Sequence, residues 1–231
     1  FFKFLFYTII SLLVIFSLSI LALSKFGLET KRFNNLIINQ VKNYNQNLNL
    51  EIKKVKVFLS LDDFTSPKIR ISTKDPILIS DKKKIKLKNV DAKIDIRSYF
   101  KDNFIIEEFE FKTKNNKIRD LISVAALEQP SFIIYNIFLK DGYASIKSSL
   151  KFDENGKISD YKFEGQIKEA KIKYSEKYNF GNVNFDFTYK QNEISIKKTN
   201  FSYKKIKFLS DEIIIAQGSD GKKNITGDIV T

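Results

Sequence analysis

The stretch VDAKIDIRSYF, residues 90–100, alternates between two kinds of side chain. Val90, Ala92, Ile94 and Ile96 fall on one side of an extended chain, and Asp91, Lys93, Asp95 and Arg97 on the other. A period of two places successive side chains on opposite faces of a pleated strand, so this segment is a strand with one dry face and one wet face. What covers the dry face decides the fold and bears on function. Packed under the rest of a closed core, it is an ordinary half-buried strand; left open over many successive strands, it is a surface for apolar ligands.

The same period extends outward from this stretch. Val55, Val57 and Leu59 oppose Lys54, Lys56 and Phe58; Ile69 and Ile71 follow; Ile85 and Leu87 stand against Lys84, Lys86 and Lys88; and Phe109 and Phe111 alternate with Glu108 and Glu110. Further on, Tyr161, Phe163 and Ile167 share a face until the register slips at Lys168-Glu169, where Ala170, Ile172 and Tyr174 take over, the mark of a β-bulge. Val183, Phe185, Phe187 and Tyr189 continue, then Ile194 and Ile196 after a turn at Gln191-Asn192. Asp141-Gly142, Asn155-Gly156 and Asp220-Gly221 are the turn signals, and Asp141-Gly142 predicts a hairpin within FIIYNIFLKDGYASIKSSLKF, residues 132–152. No exact repeat is present. These are antiparallel strands, each with one solvated face, in a long meander.

Two segments break the period. In residues 29–46, Phe33, Leu36, Ile37, Val41 and Tyr44 recur at helical spacing, an amphipathic helix that either lies on a membrane surface or plugs the end of a sheet. In residues 115–127, Ile118, Leu121, Ile122 and Ala125 form one helical stripe, ended before Pro130.

At the N-terminus, Phe4 to Ser24 carry no charge and lie between Lys3 and Lys25. At about 1.5 Å per residue a helix of this length reaches roughly 30 Å, enough to cross the hydrocarbon core. Phe4, Ile9, Leu13, Phe16, Ile20 and Leu23 are its lipid-facing candidates. Ala22-Leu23-Ser24 also has the small residues of a signal-peptidase site, but the apolar run exceeds the roughly 7–15 residues of a signal h-region, which favours an uncleaved anchor. Lys25, Lys31 and Arg32 behind the helix would hold the following body on the cytoplasmic side by the positive-inside rule, a rule that large domains override. The organisation read from these patterns is an anchor at 1–25, an amphipathic helix at 26–47 and a β-rich body at 48–231. The start at Phe1 and the break within an apparent strand at Ile229-Val230-Thr231 predict a longer protein of which this is the N-terminal part.

Composition narrows the chemistry. The chain has no Cys and no His, so thiol nucleophiles, imidazole acid–base pairs, Ser-His-Asp triads and Cys/His zinc sites lack their parts. A net charge of +13 invites a nucleic-acid reading. Arginine, the residue suited to bidentate base reading, is confined to Arg32, Arg70, Arg97 and Arg119, and the lysines alternate along strands instead of clustering, so nucleic acid is not the expected partner. The acidic pairs Asp62-Asp63, Glu107-Glu108 and Asp211-Glu212 are adjacent on extended chain and point to opposite faces, whereas glycoside hydrolysis needs two carboxylates facing one pocket. No phosphate-binding glycine motif is present. The expectation is a protein that is not an enzyme, with no catalytic residue, metal or cofactor.

The order of elements carries a resemblance. A long apolar helix, an amphipathic helix, LEIKKVKVFLSLDDFTSPKIRIS (50–72) and ILISDKKKIKLKNVDAKIDIRSYFKDNFIIEEFEFKT (77–113) resemble the N-terminal region of the AsmA-like family, the AsmA/TamB/YhdP type of envelope protein. The matching features are Lys88-Asn89-Val90, the alternating Ala92–Ile96, the turn Ser98-Tyr99-Phe100 and the strand Ile105–Phe111. The resemblance covers residues 1 to about 122. It implies a protein anchored once in the bacterial inner membrane, with its bulk in the periplasm. Its mainly β body would be rolled into an open, taco-like groove that conducts phospholipids towards the outer membrane and supports outer-membrane biogenesis. The implied partners are phospholipid acyl chains, the inner membrane and an outer-membrane or envelope protein. The groove candidates are Val90, Ile94, Ile96, Phe109, Phe111, Phe163, Ile167, Phe185 and Phe187. A non-enzymatic envelope-assembly scaffold with a closed β core is the alternative.

Overall fold

The structure, a computed structural model, describes residues 2–31, 34–60, 68–81, 83–95, 106–127, 129–191, 193–218 and 222–231. The apolar N-terminal run forms helix α1 (Phe2–Phe26), whose segment Phe6–Phe26 is long and apolar enough to cross a membrane. Gly27 stops it in the left-handed conformation (φ +66°), donating its N–H to the Leu23 carbonyl at 3.2 Å. The chain then passes directly into the short strand β1 (Leu28–Thr30).

Helix α2 (Asn34–Tyr44) follows, shorter than the periodicity of residues 29–46 suggests because Leu28–Thr30 are drawn into the sheet opposite Val55, Lys56 and Val57. Phe33, expected on its apolar stripe, lies outside the described residues. Strands β2 (Leu48–Glu51), β3 (Val55–Ser60), β4 (Lys68–Lys74), β5 (Ile77–Ser80), β6 (Lys83–Asp95), β7 (Ile106–Thr113) and β8 (Asn116–Lys117) come next. Helix α3 (Ile118–Ala125) is the predicted interruption. A 3-10 turn (Pro130–Ile134) and a single helical turn, α4 (Tyr135–Phe138), precede β9 (Leu139–Phe152), β10 (Ile158–Lys173), β11 (Asn179–Lys190), β12 (Glu193–Tyr203), β13 (Ile206–Gln217) and β14 (Lys223–Gly227).

The strands form a single open antiparallel sheet. Its main path runs β1-β3-β4-β6-β7-β9-β10-β11-β12-β13-β14, with β2 and β5 branching from β6 and β8 pairing with β9. Among the described residues β1 and β14 do not pair with each other, so the sheet is not closed.

One predicted hairpin is overturned. The residues before Asp141-Gly142 are helical, with Pro130 opening the 3-10 turn, and β9 runs through Asp141-Gly142 without turning. Gly142 is there for proximity rather than for a turn: at φ +127° a Cβ placed on it would lie 2.6 Å from the Ala170 Cα of β10. The Asn155-Gly156 turn forms as expected. Gly156 takes φ +75°, and the Asp153 Oδ1 accepts from the Asn155 and Lys157 N–H groups, each at 2.9 Å. Asp220-Gly221 lies outside the described residues.

The bulge read at Lys168-Glu169 belongs to a seam that crosses the sheet. Gly142 in β9, Glu169 in β10 (φ +53°), Asn182 in β11 (φ +50°), Lys198 in β12 (φ +53°) and Gly227 in β14 (φ +145°) all take left-handed conformations. Register shifts flank the seam in the β9–β10, β10–β11 and β11–β12 pairs. Each bulge inserts one residue and moves the alternation by one, so apolar side chains stay on the same face on both sides of it. Small buried side chains, Ala144, Ala170, Val183, Thr199 and Ser210, line the seam on that face.

Two helices cover part of this face. Helix α2 places Ile37, Ile38 and Val41 on a cluster of Leu50, Ile85 and Leu87, and Ile37 also reaches Val55, Ile71 and Ile94. Helix α3 sets Ile118, Leu121 and Ile122 over Ala144, Ala170 and Val183 at the seam, while Leu121 and Val124 reach the α2 cluster. Ala125, assigned to the stripe by spacing, is exposed. Of the two placements open to α2 from its sequence, the structure shows the plug.

Candidate functional site: an apolar sheet face

Residues directly opposite each other in an antiparallel sheet point to the same side, so the register traces a row of neighbours across the strands. One such row links Thr30, Val55, Thr73, Val90, Phe111 and Ser148 from β1 to β9. It continues through Phe163, Tyr189, Ile194, Ile215 and Ile225 to β14. The row crosses every strand of the main path without a charged residue. At about 4.8 Å per strand it extends for roughly 48 Å.

Burial varies along this row, with Ser148 on β9 0 % exposed and Thr30, Val90 and Phe111 half-buried. Val55 is 0 % exposed and Thr73 2 %, both beneath the α2 end of the fold; Phe163, Tyr189, Ile194 and Ile215 are half-buried; Ile225 is 69 % exposed. The face is thus sealed where α2 and α3 lie and opens towards β14. Aromatic rings dominate the middle. Phe163 stacks near Tyr189 (centroids 6.3 Å), Tyr161 lies 5.4 Å from Tyr189, and Phe187 approaches Gly165 so closely that a Cβ there would meet its ring at 2.4 Å. The Tyr161 hydroxyl donates to that of Tyr189 at 3.3 Å, and this bond, with partial burial, holds the Tyr189 hydroxyl above its ordinary pKa. Tyr189 therefore stays neutral on this face.

The predicted groove residues separate accordingly. Phe163, Phe185 and Phe187 are half-buried on neighbouring strands, with Ile167 directly opposite Phe185; Phe109 and Phe111 share β7 with their rings 6.2 Å apart. Phe185 and Ile167 sit against the α3 cluster. Val90 packs on the α2 cluster, and Ile94, 2 % exposed between Val55 and Ile71, is enclosed core. Ile96 lies outside the described residues. The anchor candidates Phe4, Ile9, Leu13, Phe16 and Leu23 are exposed along α1, and Ile20 is half-exposed. Sequence reading aligned Tyr161 and Tyr189 with groove candidates without counting them among these, and missed Ile213 and Ile215, whose run Ile213-Ile214-Ile215 shows no alternation; the register with β12 places them.

The opposite face is a lattice of charges. Lys93 approaches Glu108 at 3.5 Å, Lys162 pairs with Glu164 at 2.6 Å, and Lys197 with Glu212 at 3.2 Å. The Lys162 ammonium, by hydrogen bond, holds the Glu164 carboxyl below its ordinary pKa; the Ser195 hydroxyl and then Lys197 do so for Glu212. A cavity of about 190 Å³ on this face is lined by Glu110, Lys147, Asp160, Lys162 and Glu164, and one of about 330 Å³ lies beside α2 among Ile38, Leu50, Ile52 and Asp75. The first is on the charged face and the second at the margin of the α2 cluster; neither lies among Phe163, Phe187 and Tyr189 of the apolar face. Among the described residues no acidic cluster could hold a metal ion.

Comparison with known proteins returned no match to a family model, to a curated protein or to a solved structure. The function is therefore argued from the face itself. Between scattered hydroxyls such as Thr73, Ser148 and Tyr189, its side chains are aliphatic and aromatic. They offer alkyl and aromatic contact, and each methylene moved from water onto them is worth about 0.8 kcal/mol.

Proposed function

We propose that this chain belongs to a membrane-anchored, lipid-conducting envelope protein, and that its apolar sheet face takes phospholipid acyl chains. In this reading α1 holds it in the inner membrane, the body stands in the periplasm, the sheet curls about the seam into a groove, and lipid moves along the strand order towards the outer membrane. The observation that carries the reading is the uncharged register row from β1 to β14, whose outer part, from Phe163 to Ile225, is half-buried to exposed. The open part of the row, from Phe163 on β10 to Ile225 on β14, extends for roughly 19 Å, comparable with the depth of one leaflet's hydrocarbon, about 15 Å, so it suits a single tail. A tail of 16 carbons gains on the order of 10 kcal/mol before ordering losses. The resemblance to AsmA-like proteins in residues 1 to about 122 supports the same assignment, and supplies the periplasmic side.

The test is site-specific photo-crosslinking in growing cells carrying radiolabelled phospholipid. A photoreactive residue at Phe163 or Phe187 should capture lipid. One at Glu164, on the charged face, and one at Ile94, in the enclosed core, should not. Lipid at none of the four sites would overturn the proposal and leave the closed scaffold, with protein covering the face.

A further inference from the structure

The open part of the apolar row has chemically different ends. On β12, β13 and β14 it is aliphatic: Ile194, Ile215 and Ile225 lie in the row, and Ile196 faces Ile213 in the next row towards the seam. On β10 and β11 it is aromatic, with Phe163 opposite Tyr189. Of Phe163, Tyr189, Ile194, Ile215 and Ile225, only Tyr189 carries a polar side-chain atom.

The Tyr189 hydroxyl accepts from that of Tyr161, whose ring stands in the adjacent row opposite Leu150. This bond leaves the Tyr189 proton without an acceptor among the described residues. Accepting one hydrogen bond polarises a hydroxyl and makes it a stronger donor of its own proton. The surrounding rings are half-buried, with that of Phe163 centred 6.3 Å from Tyr189 and that of Tyr161 5.4 Å. Plain hydrocarbon laid along the row would take water away from this donor and leave it unpaired, which lowers affinity about fivefold or more. The row therefore suits a ligand with a hydrogen-bond acceptor at β11 and a slender hydrocarbon running on to β14.

That hydrocarbon has three strand spacings to cross, about 14 Å, close to the roughly 15 Å that a chain spans within one leaflet. An uncharged acceptor fits better than a carboxylate or a phosphate, because no cation shares the row. Lys223, on the same side, lies three strands from Tyr189, opposite Gln217. An ester carbonyl meets these requirements. We infer that Tyr161 and Tyr189 position an ester-linked acyl chain: the Tyr189 hydroxyl donates to the ester carbonyl of a phospholipid, and the chain lies along the row with its methyl end on β14. The inference rests on the apolar face taking acyl chains, as proposed above, and adds which way the chain lies and which polar group the face reads.

The full chain is reconstituted in phosphatidylcholine vesicles with a trace of phosphatidylcholine carrying a diazirine on one acyl chain, beside the carbonyl in one probe and beside the terminal methyl in the other. After photolysis the labelled peptides are mapped by mass spectrometry, and labelling of α1 sets the scale. The carbonyl-side probe should label β10 and β11 at least about threefold more than β13 and β14, and the methyl-side probe the reverse. Ether-linked versions, which lack the carbonyl, should label these strands about fivefold less; Tyr189→Phe should bring the ester probes to that level and leave the ether probes unchanged. Equal labelling of the parent by ester and ether probes overturns the inference. So does carbonyl-side labelling centred on β14, which would put the polar end at Lys223. Labelling of α1 alone by both ester probes overturns the reading of the face as well. These readings on the parent chain do not depend on the phenylalanine variant folding.

Discussion

Replacing Gly142 by alanine tests whether the seam depends on a close approach of β9 to β10. The added Cβ would lie 2.6 Å from the Ala170 Cα and 3.0 Å from its Cβ; the first of these is backbone and cannot swing away. Its φ of +127° adds conformational strain, about 1–3 kcal/mol for a residue with a side chain. Overpacking adds about 1–3 kcal/mol, and the reduced entropy of the unfolded chain returns about 0.4–1 kcal/mol. The net expectation is a loss of about 1–6 kcal/mol, with the centre of that range at about 3 kcal/mol. Gly156→Ala is the internal control: it shares a positive φ, +75°, but no atom lies within 4 Å of the added Cβ, so its cost stays near the left-handed penalty of about 1–2 kcal/mol. Urea unfolding of the full chain in detergent micelles, followed by far-UV circular dichroism and by the fluorescence of its 10 tyrosines, reads both variants. A Gly142→Ala midpoint no lower than that of Gly156→Ala, at unchanged slope, would refute the reasoning.

Other outcomes are expected from the same structure. Asn116 is 7 % exposed; its amide donates to the Lys86 and Lys114 carbonyls and its Oδ1 accepts the Lys86 N–H at 2.8 Å. Asn116→Ala should therefore cost about 2–3 kcal/mol in a urea titration, and Asn116→Asp, which keeps the acceptor and loses both donors, should not restore it. Acid sensitivity follows from lysine-paired carboxyls. Glu29, Asp75, Glu164 and Glu176 are each held below their ordinary pKa chiefly by a hydrogen-bonded lysine, so their contribution is present above the unfolded-state values, about 3.9–4.3, and disappears as pH falls through the lowered ones. The melting temperature should be flat above about pH 5 and fall below about pH 4.5. Added salt should shallow that fall, since these groups lie at the surface. A decline beginning above pH 6 would contradict it.

Much of the fold was legible because its signals are local. An uncharged run long enough for a bilayer, a change of period from 3.6 to 2 near Asn49, and the slip at Lys168-Glu169 each depend on a few adjacent residues. The misreading at Asp141-Gly142 has a nonlocal cause. Aspartate followed by glycine is good turn chemistry, but the glycine here meets a bulge on the neighbouring strand, and residues 132–138 are helical despite their β-branched and aromatic content. Conversely, Lys204 and Lys205 both take positive φ (+49° and +71°) to form a two-residue hairpin turn, although lysine carries no propensity for it. There the pairing of Tyr203 with Ile206 dictates the turn.

For the candidate site the division is between faces and neighbours. Alternation by itself determined which side chains share a side of each strand, because the pleat allows only two directions. It determined that one side is charged and the other apolar. Only the tertiary structure decided what lies over the apolar side. Ile94 and Phe187 are alike in the sequence, each an apolar residue between charged or polar ones. Ile94 is enclosed in a cluster against which Ile37 of α2, more than fifty residues earlier, packs, whereas Phe187 is half-buried and belongs to neither of the clusters under the helices. Covering depends on contacts between residues far apart in the chain, and the period of a single strand holds no information about them.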